Sequence, residues 1–156
     1  WGNLNKEGVA VDPESRRSVL FVKQAYMRLA QTLVNSKKKA EAVAVLDRCL
    51  EFFPNDKIQY DVLMMTYPEI YYAAGATEKG DAFMNTMLEN CKDNLRYYYE
   101  LDIPFLMYYS ESIYENLAIL DKMKTIATKY KRNDLRVRIA TTFTEENGKF
   151  YPYLAR

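Results

Sequence analysis

Tyr26–Pro54 reads YMRLAQTLVNSKKKAEAVAVLDRCLEFFP. Two amphipathic runs flank a single polar turn. Upstream, Asp12-Pro13-Glu14 is a helix start: Asp caps free N–H groups, Pro fits the first helical position, and Glu suits the positive end of the dipole. From there Val19, Val22, Tyr26, Leu29, Ala30 and Leu33 recur at helical spacing. Asn35 to Lys39 interrupts the run, and the basic triplet Lys37-Lys38-Lys39 reads as a solvated loop. The second run, AEAVAVLDRCLEFF, stops at Pro54. Small residues at Ala30 and Ala42 let two antiparallel helices approach closely, so the stretch predicts a helical hairpin.

The details of this hairpin resemble the tetratricopeptide repeat, whose pattern is W-x2-L-G-x2-Y, then A-x3-F, then A and P. Tyr26, Leu29, Ala30 and Leu33 match its first helix by residue class. Ala42, Leu46, Cys49 and Pro54 match its second. A degenerate copy follows, with a first helix from Lys57 to Ala74 stopped by Gly75. Tyr71 and Gly75 occupy the positions of the family's Tyr and turn Gly. Two departures weaken this copy. Pro68 is expected to kink or break its helix, and Gly80 stands where Ala is expected. Two repeats are too few for a free-standing array, so further helices must complete the core.

Those helices follow. One is expected from Thr77 to Leu101, with Met84, Leu88, Cys91, Leu95 and Tyr98 as its inner stripe. Asp102-Ile103-Pro104 breaks it. A long helix is expected from Pro104 to Lys131, with a stripe through Leu106, Tyr109, Ile113, Leu117, Leu120, Met123, Ala127 and Tyr130. A last helix starts near Asp134 with Leu135, Ile139 and Phe143, and the tail ENGKFYPYLAR is expected to fray or lie across the surface. The expectation is an all-α, tetratricopeptide-like set of hairpins with a C-terminal helical cap, in one domain. Its parts are a lead-in over 1–12, repeat one over 13–54, repeat two over 57–101 and capping helices over 104–147.

Composition narrows the function. The chain has 156 residues, 49% apolar and 28% charged, with a net charge of +1. That balance argues against a nucleic-acid partner, which favours a clear basic excess. No apolar run approaches the roughly 18 residues of a membrane helix, so this segment is not expected to insert. There is no histidine, which removes the usual general acid–base near neutral pH, the Ser-His and Cys-His nucleophile pairs and the common zinc motifs. Cys49 and Cys91 read as buried thiols. The carboxylate pairs Glu145-Glu146 and Asp61-Glu69 carry no catalytic signature. No enzyme activity, cofactor or metal is expected of this segment.

The tyrosine-rich stretch LRYYYELDIPFLMYYSESIY, Leu95–Tyr114, has two readings. One is packing where two helices meet at Pro104, with Tyr98 and Tyr109 inside and Tyr97, Tyr99, Tyr108 and Tyr114 at the boundary. The other is an aromatic platform for a glycan. The sequence favours packing, because consecutive residues on a helix point about 100° apart.

A wider resemblance covers nearly the whole chain. WGNLNKEGVAVDPESRRSVL, RLAQTLVNSKKKAEAVAVLDRCLEFFPNDKIQYD, YYAAGATEKGDAF and LRYYYELD resemble the soluble C-terminal region of a bacterial membrane-protein family. Its N-terminal multi-pass domain is similar to protein O-mannosyltransferases. The resemblance, with the opening on Trp1, implies a piece of a longer protein, lying on the periplasmic side and tethered to the inner membrane. It places any glycosyl-transfer chemistry outside these residues.

Tetratricopeptide proteins bind extended peptides on the face made by the first helix of each repeat. Carried over by register, the resemblance implies Gln24, Met27, Arg28, Gln31 and Asn35 from repeat one, and Met65, Thr66, Glu69 and Tyr72 from repeat two. The expected function is therefore a non-catalytic interaction or scaffolding domain. Its expected partner is a protein, an extended peptide or the membrane part of its own chain.

Overall fold

The computed structural model describes residues 12–154, together with Lys6 and Gly8. All but the last residue of the expected lead-in, Lys6 and Gly8 apart, therefore lies outside the described residues. Seven α-helices are found among the described residues: α1 Pro13–Asn35, α2 Lys39–Phe52, α3 Thr66–Ala74, α4 Thr77–Tyr99, α5 Ile103–Tyr108, α6 Ser110–Lys129 and α7 Asn133–Leu154. A 3-10 turn, Val62–Met65, precedes α3, and there is no strand among the described residues. The fold is all-α. None of the helices described is long and apolar enough to cross a membrane. The chain forms two compact units, 1–83 and 84–156, and the division falls inside α4.

In the first unit, Asp12 caps α1 as its sequence predicts: its Oδ1 accepts from the Glu14 and Ser15 amides, each at 3.0 Å. The buried line of α1 is Val19, Lys23 and Ala30, three residues within about 40° of one another around the axis. Leu29, expected inside, is 51% exposed. It sits about 100° from Ala30 on the same turn, so the close approach that buries Ala30 leaves Leu29 on the flank. Residues 37–39 are exposed, and Lys37 takes a left-handed φ of 63° to turn the chain. α2 buries Ala42, Leu46 and Cys49 as expected and ends at Phe52, two residues before Pro54.

The second hairpin departs further. Its first helix does not begin at Lys57. The chain from there is irregular, then makes the 3-10 turn, and α3 starts at Thr66. Pro68 is consequently the third residue of a helix, where its missing N–H would have had no partner in any case. It neither kinks nor breaks α3. Gly75 ends α3 at φ 88°, and the amide of Ala76 reaches back to the Tyr71 carbonyl at 2.9 Å. Gly80 is the position where the repeat pattern has Ala. A Cβ there would stand 2.5 Å from the Tyr72 ring, so that ring occupies the space the missing methyl would fill.

In the second unit, Met84, Leu88, Cys91 and Leu95 of α4 are buried. So are Ile113, Leu117, Leu120, Met123 and Ala127 of α6. These are most of the stripes read from the sequence; Tyr98, Tyr109 and Tyr130, expected in them, are half-buried. The helix expected from Pro104 to Lys131 is two helices: Tyr109, at φ −91° and ψ 13°, closes α5 and precedes α6. The tail is helical through Leu154, as part of α7, and Phe150 is fully buried. Both cysteines are free and buried.

Candidate functional site

The face of α1 read as a peptide groove is only partly assembled. Gln24 and Met27 line a cleft with Asp61, Leu63 and Met64 of the facing turn, over Lys23 and Tyr67. Its volume of about 10 Å³ is the room needed by a single water. Arg28 and Asn35 are exposed, and Gln31 donates to Asn35 along the helix at 3.2 Å. Thr66 and Glu69 are half-buried. Met65 and Tyr72 are corrections: they are 1% and 8% exposed, and neither offers a peptide its side chain. Met65 lies in the 3-10 turn before α3, and α3 is buried on most of its faces, Tyr72 included.

Beneath the cleft lies a polar cluster. Lys23 is 2% exposed, donates to the Ile58 carbonyl at 3.4 Å and stands 5.5 Å from the Tyr60 ring centre. Burial pushes its amine below the usual lysine range, and Asp61 opposes that shift. The Tyr67 hydroxyl donates to the Lys23 carbonyl at 2.9 Å and lies 3.1 Å from the Cys49 sulfur. A hydroxyl has one proton, so the thiol meets an oxygen lone pair. Burial raises the Cys49 thiol, and a fully buried, protonated thiol is a poor nucleophile. Nearby, the Tyr71 hydroxyl donates to Asp47 at 2.9 Å, and Lys79 pairs with the same carboxylate. Every polar group here ties one element to another, which is structural work.

The second unit presents a different surface. α5 reads IPFLMY, and of its residues only Leu106 is buried. Ile103, Phe105 and Met107 are more than half exposed, and Tyr108 is 79% exposed. Successive residues point about 100° apart, so these side chains project around most of the helix. Four tyrosines continue the surface as a chain of rings. Tyr97 meets Tyr98 edge-on at 5.5 Å, Tyr98 stacks on Tyr109 at 5.4 Å, and Tyr109 meets Tyr108 edge-on at 5.0 Å. The inner pair is half-buried and the outer pair exposed. Tyr99 and Tyr114 are also about half exposed. Tyr97, Tyr99 and Tyr114 therefore sit at the boundary as expected, Tyr98 and Tyr109 are half-buried where an inside position was expected, and Tyr108 is more open than a boundary residue. The sequence signal was IPFLMY itself: six consecutive apolar residues on a helix too short to bury more than one.

No protein-family model matches this chain, and neither the curated proteins nor the solved structures contain a match to it. Among the described residues, no three of Cys, Asp and Glu are grouped so as to hold a metal ion.

Proposed function

We propose that this chain is a helical interaction module that docks a protein segment on the aromatic and aliphatic surface around α5. The observation that carries the reading is the exposure of Ile103, Phe105, Met107 and Tyr108 on one short helix. A large aromatic side chain covers about 150–250 Å². The exposed parts of Tyr97, Phe105, Tyr108 and Tyr114 therefore come to on the order of 500 Å², the upper end of what a monomeric protein leaves bare. Ile103 and Met107 extend the apolar surface around the other side of α5.

In this reading the α1–α2 hairpin is a tetratricopeptide-like repeat that supports the fold, and binding occurs at α5 instead of on α1. The chain then serves as the accessory region of a membrane-anchored glycosyltransferase-like protein, on the periplasmic side. A glycan platform is less favoured. Tyr98 and Tyr109 cover each other's ring faces, and Ile103 and Met107 give a sugar no hydrogen bond.

A photo-crosslinking residue placed in the producing cell at Met107, and separately at Gln31, tests the site. Protein adducts specific to position 107 are expected. Adducts at Gln31 and none at Met107 would return the site to α1.

A further inference from the structure

The charge around the patch bears on the kind of partner it suits. Residues 97–121 contain five carboxylates and no lysine or arginine, in a chain whose net charge is +1. Four of these, Glu100, Asp102, Glu111 and Glu115, are exposed around the tyrosines and α5. Glu111 neighbours both Tyr114 and Glu115 on α6, three and four residues away. Among the described residues none of the four is in an ion pair. Three nearby bases are engaged with other carboxylates, Arg96 with Asp93 at 2.7 Å, Lys92 with Glu89 at 3.0 Å and Lys149 with Glu146 at 2.7 Å, while Lys122 is exposed just beyond the stretch. Lys149 also lies 5.8 Å from the Tyr99 ring centre, so an ammonium group is already accommodated on the edge of this surface.

We infer that the partner docked on α5 is a basic amphipathic protein segment, one that sets Lys or Arg beside apolar anchors; the inference rests on the docking reading above. Each half of the surface selects one half of this ligand. Ile103, Phe105 and Met107 take apolar side chains. The exposed tyrosines take cations on their faces, and the unpaired carboxylates take them at their edges. The same carboxylates repel nucleic acid and anionic lipid. They would also face their own kind in a symmetric pair of copies, because a two-fold interface sets the same patch against itself.

The test is calorimetric titration of the whole chain with three synthetic amphipathic helices. All share the same Leu and Phe anchors, and they are flanked by Lys, Gln or Glu. The Lys peptide is expected to bind about tenfold to a hundredfold more tightly than the Glu peptide, with an advantage that shrinks as salt rises. The paired variant Glu111→Lys with Glu115→Lys should reverse that order. Phe105→Ser with Tyr108→Ser, both at exposed positions, should abolish binding of all three peptides while helicity is kept. Equal, salt-independent binding of the three would overturn the basic-segment inference and leave the docking reading standing. Binding untouched by Phe105→Ser with Tyr108→Ser would remove both. Self-association in sedimentation, or adsorption to zwitterionic vesicles, that is lost in that variant while the Lys peptide fails to bind would replace the basic segment with a second copy or a lipid surface.

Discussion

Gly80 shows how one side chain overrides a pattern. Its Cβ position is taken by the Tyr72 ring, and that ring is tethered by its hydroxyl, which donates to Asp81 at 2.9 Å. Ala is the better helix former by about 1 kcal/mol. Gly80→Ala is nevertheless expected to destabilise the chain by about 1–3 kcal/mol through overpacking. Urea denaturation decides between the two effects, and a stabilised variant would refute the account.

The buried titratable groups set the alkaline behaviour. Burial raises the Cys49 and Cys91 thiols, the latter to about 12. Burial likewise raises Tyr60 to about 12, and Tyr67 and Tyr71 further. These groups ionise more easily in the unfolded chain. Their contribution is whole below the unfolded values near 9 and 10 and is lost as pH rises above them. Lys23 works the other way. Its lowered amine charges more readily when unfolded, so its penalty is present at neutral pH and relieved as pH rises toward 10.5. Five groups oppose one, so thermal stability should fall from about pH 9 upward. Lys23→Met should lose stability more steeply with alkali than the wild-type chain. A melting temperature that climbs above pH 10 in the wild-type chain would contradict this balance.

At the scale of elements, much was legible and the misses have physical causes. Asp12-Pro13 marked the start of α1, Pro54 followed the end of α2, Gly75 closed α3, and the buried stripes of α4 and α6 were visible as periodicity. Leu29 was misplaced because Leu29 and Ala30 are neighbours in sequence but about 100° apart on the helix. Hydrophobicity chooses the larger residue, whereas close helix packing selects the smaller. Leu29→Asp is therefore expected to leave the fold intact, while Ala30→Asp should unfold the first unit by burying an unpaired charge. Circular dichroism of the pair checks the register. Pro68 misled because its effect depends on distance from the helix start, which the sequence did not reveal. The tail misled because ENGKFYPYLAR contains Gly, Asn and Pro. Phe150 nonetheless packs edge-on against Tyr99 at 5.7 Å and is fully buried. Phe150→Ala should cost about 3–5 kcal/mol, and a cost near zero would mean that the tail is not part of the core.

At the scale of the whole chain, the patch around α5 separates stability from binding. Its residues are exposed, so Phe105→Ser with Tyr108→Ser should change stability by no more than about 0.5 kcal/mol while reducing association with any apolar surface. Thermal melts and hydrophobic-interaction chromatography measure the two quantities independently. A large drop in melting temperature would mean that α5 supports the fold. The sequence placed Tyr97, Tyr99 and Tyr114 at the right depth, at the boundary, but not Tyr108. Depth depended on α5 ending at Tyr108 and α6 starting afresh, a break that no glycine or proline near Tyr109 announces.

The spacing of the four rings has an optical consequence. Tyr97, Tyr98, Tyr109 and Tyr108 stand 5.0 to 5.5 Å apart from one to the next. At such separations electronic excitation passes readily between phenol rings, so light absorbed by an inner tyrosine is also emitted from an outer one and its polarisation is lost. An indole brought onto Tyr97 or Tyr108 would collect that energy from the whole series. The surface therefore carries its own reporter: a tryptophan-bearing partner would announce its arrival by draining tyrosine emission, with no label attached to either molecule.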